Sequence, residues 1–415
     1  MGTKSKKSRT GVIKNRLINI SLLFVTTTIM LLLAEFAFRL ILFSDIETFA
    51  YLRNPYYYSD HIKHKNEDFY NENYWKLNYL FNKSFNVKNP NPLLGWTGFF
   101  DKKTLDHRDH KASKGKRPVL LYGDSFAMCV DSCECFEDIL NSDPEFASEN
   151  YLLNYGVGGY GVDQIYLLFN ETVDKYENPF VIFSLLTTDM DRSMLNVRDA
   201  QKPYFVLNDD GLELQGVPIT LSSEEFFEQN SPDIKSYLWN KFKSSPLYPF
   251  SQNKKLETEY IEKIKTLNRA ILTEAFKKLK ELNTNYVVLI FHPVHLPRTG
   301  WRLTFLRELC YENKVPYICD LDVRNADRNY SKYIQYKYAV MGDGHPTTYS
   351  NVLISNKLKR YILDPEYREI EYYKYRILYS PEWLETVKLK AFINGIPLDS
   401  MIYLDAKYMA DQDKD

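Results

Sequence analysis

The longest apolar run of the chain is Leu17 to Ala34, 18 residues without a charge, and the pattern resumes through Phe43 after Glu35 and Arg39. A helix of that length crosses a bilayer core. Lys4, Lys6, Lys7, Arg9, Lys14 and Arg16 precede it with no acidic residue among them. By the positive-inside rule this keeps the N-terminus in the cytoplasm and exports the rest. A cleaved signal peptide would carry a shorter apolar region ending in small residues, where this chain has Glu35-Phe36 and Phe38-Arg39. The expectation is a basic cytoplasmic segment, 1–16, a retained transmembrane anchor, 17–43, and an extracytoplasmic main domain, periplasmic in a bacterium. Glu35 and Arg39, four apart on one helix face, are spaced to pair near the outer interface.

Residues 44–117 are rich in Tyr, Asn and Lys with short apolar clusters such as Leu93-Leu94-Gly95-Trp96, and read as an irregular lead-in. From residue 118 the pattern changes. Continuous apolar runs bounded by turn residues recur at Val119–Tyr122, Tyr151–Tyr155, Phe180–Leu186, Tyr286–Phe291 and Pro316–Leu321. Such runs are buried strands of a parallel sheet. Helical patterns separate them: one starts at Phe136, Val162–Tyr176 carries Ile165, Leu168, Phe169 and Val173 on one side, 255–283 is long, and Thr347–Tyr361 closes the series. The predicted fold is a three-layer α/β/α sandwich with a parallel sheet of about five strands over 118–364. Residues 190–250 read as an insertion able to roof a crevice, with a hairpin around Asp210-Gly211 and a helical stretch near 222–244. At the end, 365–415, Ser380-Pro381-Glu382 starts a helix, Asn394-Gly395 stops it, and Leu398–Ala410 makes a second. This helical hairpin is too small for catalysis and suits packing or contact with a protein partner.

Charge narrows the partners. Lys+Arg number 53 and Asp+Glu 54, so no basic excess points to a nucleic acid. Five cysteines, at 129, 133, 135, 310 and 319, would face an oxidising compartment. Cys310 and Cys319 flank a strand entry and could bridge, but the sequence leaves the connectivity open. The Cys-x₃-Cys-x-Cys cluster fits no strong zinc pattern, and an odd count leaves at least one thiol free or intermolecular. Asn82, Asn170 and Asn329 open glycosylation sequons, Asn170 within a predicted helix.

Candidate chemistry sits at the ends of the apolar runs. Gly123-Asp124-Ser125 follows the first strand, at the end where open α/β sheets place their sites. By itself the tripeptide is ordinary turn chemistry. Gly156, Gly158 and Gly161 match a dinucleotide-binding fingerprint. They do not lie in the first strand–helix unit, however, and the expected compartment does not supply nicotinamide cofactors. His292 and His295 suggest metal, with Asp320 and Asp322 as further ligands, but Pro293 and the loop setting give no helical face for it. Substrate contact or loop packing suits them better. No cofactor and no metal is expected. Asp343-Gly-His345, alone, reads as a capped surface turn.

Taken together, Gly123-Asp-Ser125, Asn154-Tyr-Gly-Val-Gly-Gly159 and Gly342-Asp-Gly-His-Pro346 resemble the SGNH (GDSL-like) hydrolase family, over roughly 118–362. The resemblance implies Ser125 as nucleophile, His345 as general base and Asp343 as the residue that orients it. It implies an oxyanion hole from the Ser125 and Gly159 N–H groups and a third donor after the third strand. Two departures stand out. Leu186-Thr187-Thr188-Asp189 replaces the family's Gly-x-Asn-Asp, putting Thr188 in the asparagine's place, and Asp343 precedes His345 by two residues where three is common. Loss of one oxyanion donor costs about 10²–10³ in rate, unless a Thr188 or Thr187 hydroxyl substitutes. The resemblance implies a membrane-anchored serine esterase or O-acyltransferase acting on an acyl ester, such as an acetylated envelope glycan. The competing reading is a non-catalytic, surface-tethered carbohydrate-binding or assembly protein that keeps the fold.

Overall fold

The computed structural model describes residues 9–59, 72–82, 89–101, 105, 113–245, 248, 254–297, 299–327 and 335–413. The chain divides into two compact units, one of Met1–Phe85 with Glu224–Glu257 and the other of Asn86–Ser223 with Thr258–Asp415.

The larger unit is built on five parallel strands: β1 (Arg117–Gly123), β2 (Asn150–Gly156), β3 (Phe180–Leu186), β4 (Tyr286–Phe291) and β5 (Tyr317–Cys319). Their order across the sheet is β2-β1-β3-β4-β5. The chain winds one way from β1 to β2 and the other way from β1 to β3, so a crevice opens outside the C-terminal ends of β1 and β3. Alternate strand residues feed two cores. Leu120, Tyr122, Val181, Phe183, Val288 and Ile290 pack on the helices Val162–Thr172, Lys254–Glu281 and Trp301–Glu312. Val119, Leu121, Phe180, Ile182, Val287 and Leu289 pack on the opposite face, against Phe136–Ser142 and Thr348–Leu363. Both faces being covered explains why the strands read as unbroken apolar runs. Each fully buried Leu, Ile, Val or Phe contributes about 1.5–3 kcal/mol.

Beside this sandwich runs the hairpin Tyr204–Asn208/Gly211–Gln215, turning at Asp209-Asp210. The helical stretch expected near 222–244 is two short helices, Ser223–Gln229 and Tyr237–Lys243. Pro232 lies between them without an N–H to donate, and Ser236 caps the second by accepting from Trp239 N–H. At the C-terminus, Pro381–Asn394 turns at Gly395 (φ +64°) into Leu398–Gln412. A third helix, Pro365–Tyr379, completes the hairpin's core with Ile370 and Ile377 packed on Val387, Ile402 and Ala406.

The smaller unit carries the long apolar helix Arg9–Leu42, of which Arg16–Leu42 is long and apolar enough to cross a membrane. Its core joins Leu42, Tyr58, Leu77, Ile234 and Tyr237.

Candidate active site

β1 ends on Gly123 because its backbone is crowded: a Cβ there would lie 2.1 Å from Ser184 Oγ and 2.6 Å from Ala127 Cβ. Asp124 then caps the one-turn helix Ser125–Met128, its carboxylate accepting the Phe126 N–H at 2.9 Å. This sets Ser125 at the first helical position, half-buried at the mouth of the crevice.

His345 arrives from a different part of the chain. Val340 O accepts Gly344 N–H and Val340 N–H donates to His345 O, both at 2.8 Å, so residues 340–345 form a closed turn. The helix Thr348–Leu363 follows at once, anchored in the sheet core by Ile354 and Leu358. The His345 ring lies 5.0 Å from that of Phe126. Its Nε2 is 2.8 Å from Ser125 Oγ, and its Nδ1 is 2.6 Å from Asp343 Oδ1. With Nδ1–H donating to the carboxylate, Nε2 is left to accept from the serine hydroxyl.

The loops after β1, β2 and β3 supply donors. Among the described residues, the main-chain N–H groups of Ser125, Gly159 and Thr188 meet no protein acceptor. Gly159 has φ +83°, and a Cβ on it would lie 2.2 Å from Arg198 Nη1, so the position requires glycine. The ideal Cβ position of neighbouring Gly158 is 4.0 Å from Ser125 Cβ, which runs this loop alongside the serine. The structure separates the two threonines. Thr187 Oγ1 sits 3.3 Å from His292 Nδ1, whereas the Thr188 hydroxyl is buried, 4 % exposed, and without a hydrogen-bond partner. A buried orphan hydroxyl costs about 1–3 kcal/mol.

Sequence reasoning missed the side chain that joins these loops. Arg192 Nη1 lies 3.1 Å from Asp124 Oδ2, 2.6 Å from Asp189 Oδ1 and 3.1 Å from Tyr160 O. Those partners stand just after β1, β3 and β2 respectively. Asp189 in turn accepts the Leu186 N–H at 2.8 Å. Around this centre, Asp191 takes a two-point contact from Arg302 at 2.6 and 3.0 Å, and fully buried Lys202 pairs with Asp163. The signal was the run Asp189-Met-Asp191-Arg192 directly after an apolar strand, where uncompensated charge would be costly.

Other candidates resolve differently. His292 is packed in the protein: its Nε2 contacts Pro297 O at 3.1 Å, and burial pushes its pKa down to about 4. Asp320 accepts the His292 N–H at 2.9 Å, and burial, partly offset by Arg324, pushes its carboxyl up to about 6. Gly156 and Gly161 serve close packing, a Cβ on Gly156 lying 2.3 Å from Met128 N and one on Gly161 2.9 Å from Ser193 N. Cys310 and Cys319, the pair that could have bridged, do not. Both are buried thiols, which burial pushes upward, Cys319 to about 12. They pack as small apolar groups in the sheet core. The bridge is Cys129–Cys135, because the chain reverses after the Ser125 helix and brings the two Cα atoms to 5.7 Å. Asn170 is exposed on the helix Val162–Thr172, Asn82 is exposed, and Asn329 lies outside the described residues.

No family model matches this sequence, and no curated protein matches it. Among solved structures, a chain from Desulfitobacterium hafniense DCB-2 described as lipolytic and of the G-D-S-L family is 13 % identical. The match covers 59 % of this chain and 99 % of that one, with a TM-score of 0.28. A second solved chain is 12 % identical over 60 % of this chain and 99 % of its own, also with a TM-score of 0.28. Likenesses at that level carry no weight for fold or function.

Proposed function

We propose that the chain is a serine hydrolase or O-acyltransferase, tethered to a membrane and acting on an acyl ester, with an acetylated envelope glycan as the substrate class. The observation that carries this reading is the hydrogen-bonded chain from Ser125 Oγ through His345 to Asp343. A serine hydroxyl becomes nucleophilic when a neutral imidazole takes its proton, and the carboxylate stabilises the imidazolium that forms. Ser125 Oγ attacks the ester carbonyl while His345 Nε2 takes the proton. The acyl–oxygen bond of the ester breaks, and His345 returns that proton to the leaving alcohol. Water or a sugar hydroxyl then gives its proton to His345 and attacks the acyl-enzyme, freeing Ser125. The developing oxyanion accepts from the Ser125 and Gly159 N–H groups. Thr188 supplies the third donor through its orphan hydroxyl or its own N–H.

The test uses the purified full chain in detergent with a chromogenic acetyl ester. Ser125→Ala and His345→Ala should each lower kcat by about 10⁴–10⁶-fold. Thr188→Val should lower it about 10²-fold and Thr188→Ser by less than about tenfold. Absence of turnover, together with no labelling of Ser125 by a fluorophosphonate, would replace this reading with a non-catalytic glycan-binding one. Products formed with added glycan acceptors, weighed by mass spectrometry, sort esterase from transferase.

A further inference from the structure

The smaller unit fixes a short helix at a defined height on the long apolar one. Every residue from 16 to 34 is exposed, whereas Phe38 and Leu42 pack into a protein core with Tyr58, Leu77 and Tyr237. At 1.5 Å per residue the stretch Leu17–Ala34 is about 27 Å long, close to the roughly 30 Å of a bilayer's hydrocarbon core. Protein contact therefore begins where a lipid-length span ends, at Glu35.

Glu35 is also where the helix Tyr237–Lys243 is tied. Its carboxylate accepts the N–H groups of Tyr237 and Leu238, each at 3.0 Å, and the Ser236 hydroxyl at 2.8 Å. Arg39 donates to Glu35 at 2.7 Å, to Ile234 O at 3.3 Å and to Lys235 O at 3.1 Å. The Glu35–Arg39 pair expected from their spacing is thus part of a clamp. Tyr237 points into the core, while Trp239 and Phe242 stack on each other at 5.5 Å and stand 52 % and 46 % exposed. Tyr248 meets both rings edge-on, Lys243 follows Phe242 directly, and Lys241 turns instead over the Tyr57 ring.

Large aromatic rings at the end of an apolar span, with Lys243 beside them, match the chemistry of the headgroup region, which takes amphipathic rings and holds cations against lipid phosphate. We propose that the Tyr237–Lys243 helix is a lipid-contacting collar, with Trp239 and Phe242 seated in the bilayer interface at the Glu35 end of the span. This rests on the reading of the apolar helix as membrane-spanning, with Leu17–Ala34 as the part within the hydrocarbon core. The collar gives that end of the helix a fixed depth, which a single apolar helix lacks because it can slide and tilt.

The test reconstitutes the full chain into phosphatidylcholine liposomes, plain or carrying acyl chains brominated near the headgroup, and reads tryptophan emission. Brominated lipid should quench part of the signal of the five tryptophans. Trp239→Phe should remove about half or more of that quenching, since Trp239 is the ring placed in the interface. Trp75→Phe should leave the quenching unchanged. A chain that fails to float with liposomes overturns the spanning reading and the collar with it. A chain that floats, but whose quenching is unmoved by Trp239→Phe, overturns the collar alone.

Discussion

The two sides of the crevice are built on opposite plans. On the donor side, the loops after β1, β2 and β3 meet at one guanidinium, Arg192, with Asp124 and Asp189 fully buried against it. On the base side, Asp343 and His345 ride on a turn closed by main-chain hydrogen bonds, and the Asp343 side chain is 44 % exposed. Donors aimed at a developing charge gain from a fixed, low-dielectric setting, because nothing need reorganise as the charge appears. A base that gives and takes protons with solvent and substrate works with less enclosure, provided its ring is oriented. On the proposed reading, stability and catalysis are coupled on one side of the site and separable on the other.

Three substitutions press on that difference, taken in order of their effect on the fold. Arg192→Met comes first. It leaves two buried carboxylates without their cation, and breaking a buried ion pair this way costs about 3–5 kcal/mol. Urea unfolding monitored by circular dichroism should show a midpoint displaced accordingly. A loss under about 1 kcal/mol would mean that the three loops hold their places without Arg192.

His292→Gln is next, and it acts through pH. The His292 ring titrates near 4 in the fold against an ordinary 6.5, so the unfolded chain binds a proton over that range that the native chain refuses. Its contribution to stability is present above pH 6.5 and is lost as pH falls toward 4. Asp320 runs the other way: its carboxyl titrates near 6 instead of 3.8, so the native chain keeps a proton that the unfolded chain releases. Its contribution is greatest below 3.8 and is lost as pH rises to 6. The two oppose each other in the natural chain. His292→Gln leaves Asp320 unopposed, so stability should fall between pH 4 and 6 by about 1–3 kcal/mol relative to the natural chain. Thermal unfolding across that range measures it, and a slope equal to that of the natural chain would refute it.

Legibility followed the same division. The strands Phe180–Leu186 and Tyr286–Phe291 coincide with the reading because buried parallel strands are continuous apolar runs with polar ends. The last strand stops at Cys319, earlier than read, because Asp320 turns inward to hold His292 N–H and open a helix. Ser125 and His345 stand out in the sequence only together, through the resemblance that Gly123-Asp-Ser125, Asn154–Gly159 and Gly342–Pro346 carry jointly, since each turn alone reads as ordinary. Arg192 is only half legible: the charged run Asp189–Arg192 after an apolar strand signals buried pairing, but not that three loops converge on one guanidinium. The Cys129–Cys135 pairing spans only six residues and was still not legible. It follows from the reversal at Cys129, whose φ of +67° no sequence rule assigns to a cysteine.

Asp343→Asn should disturb the fold least and sharpens the comparison most. The carboxylate is nearly half exposed and, among the described residues, its side chain bonds only His345 Nδ1, so its removal costs the fold little. The expected change in stability is within about 0.5 kcal/mol. The amide, however, offers His345 either a donor or a weaker acceptor, and the ring is no longer held with Nδ1 protonated and Nε2 free for Ser125. Ester turnover should drop about 10³–10⁴-fold, with KM little changed because Asp343 makes no bond that the bound ester replaces. Equilibrium unfolding and steady-state kinetics on the same preparation decide it. If stability and rate fell together, the base side would be as tightly coupled as the Arg192 side, and the two halves of the crevice would not differ in kind.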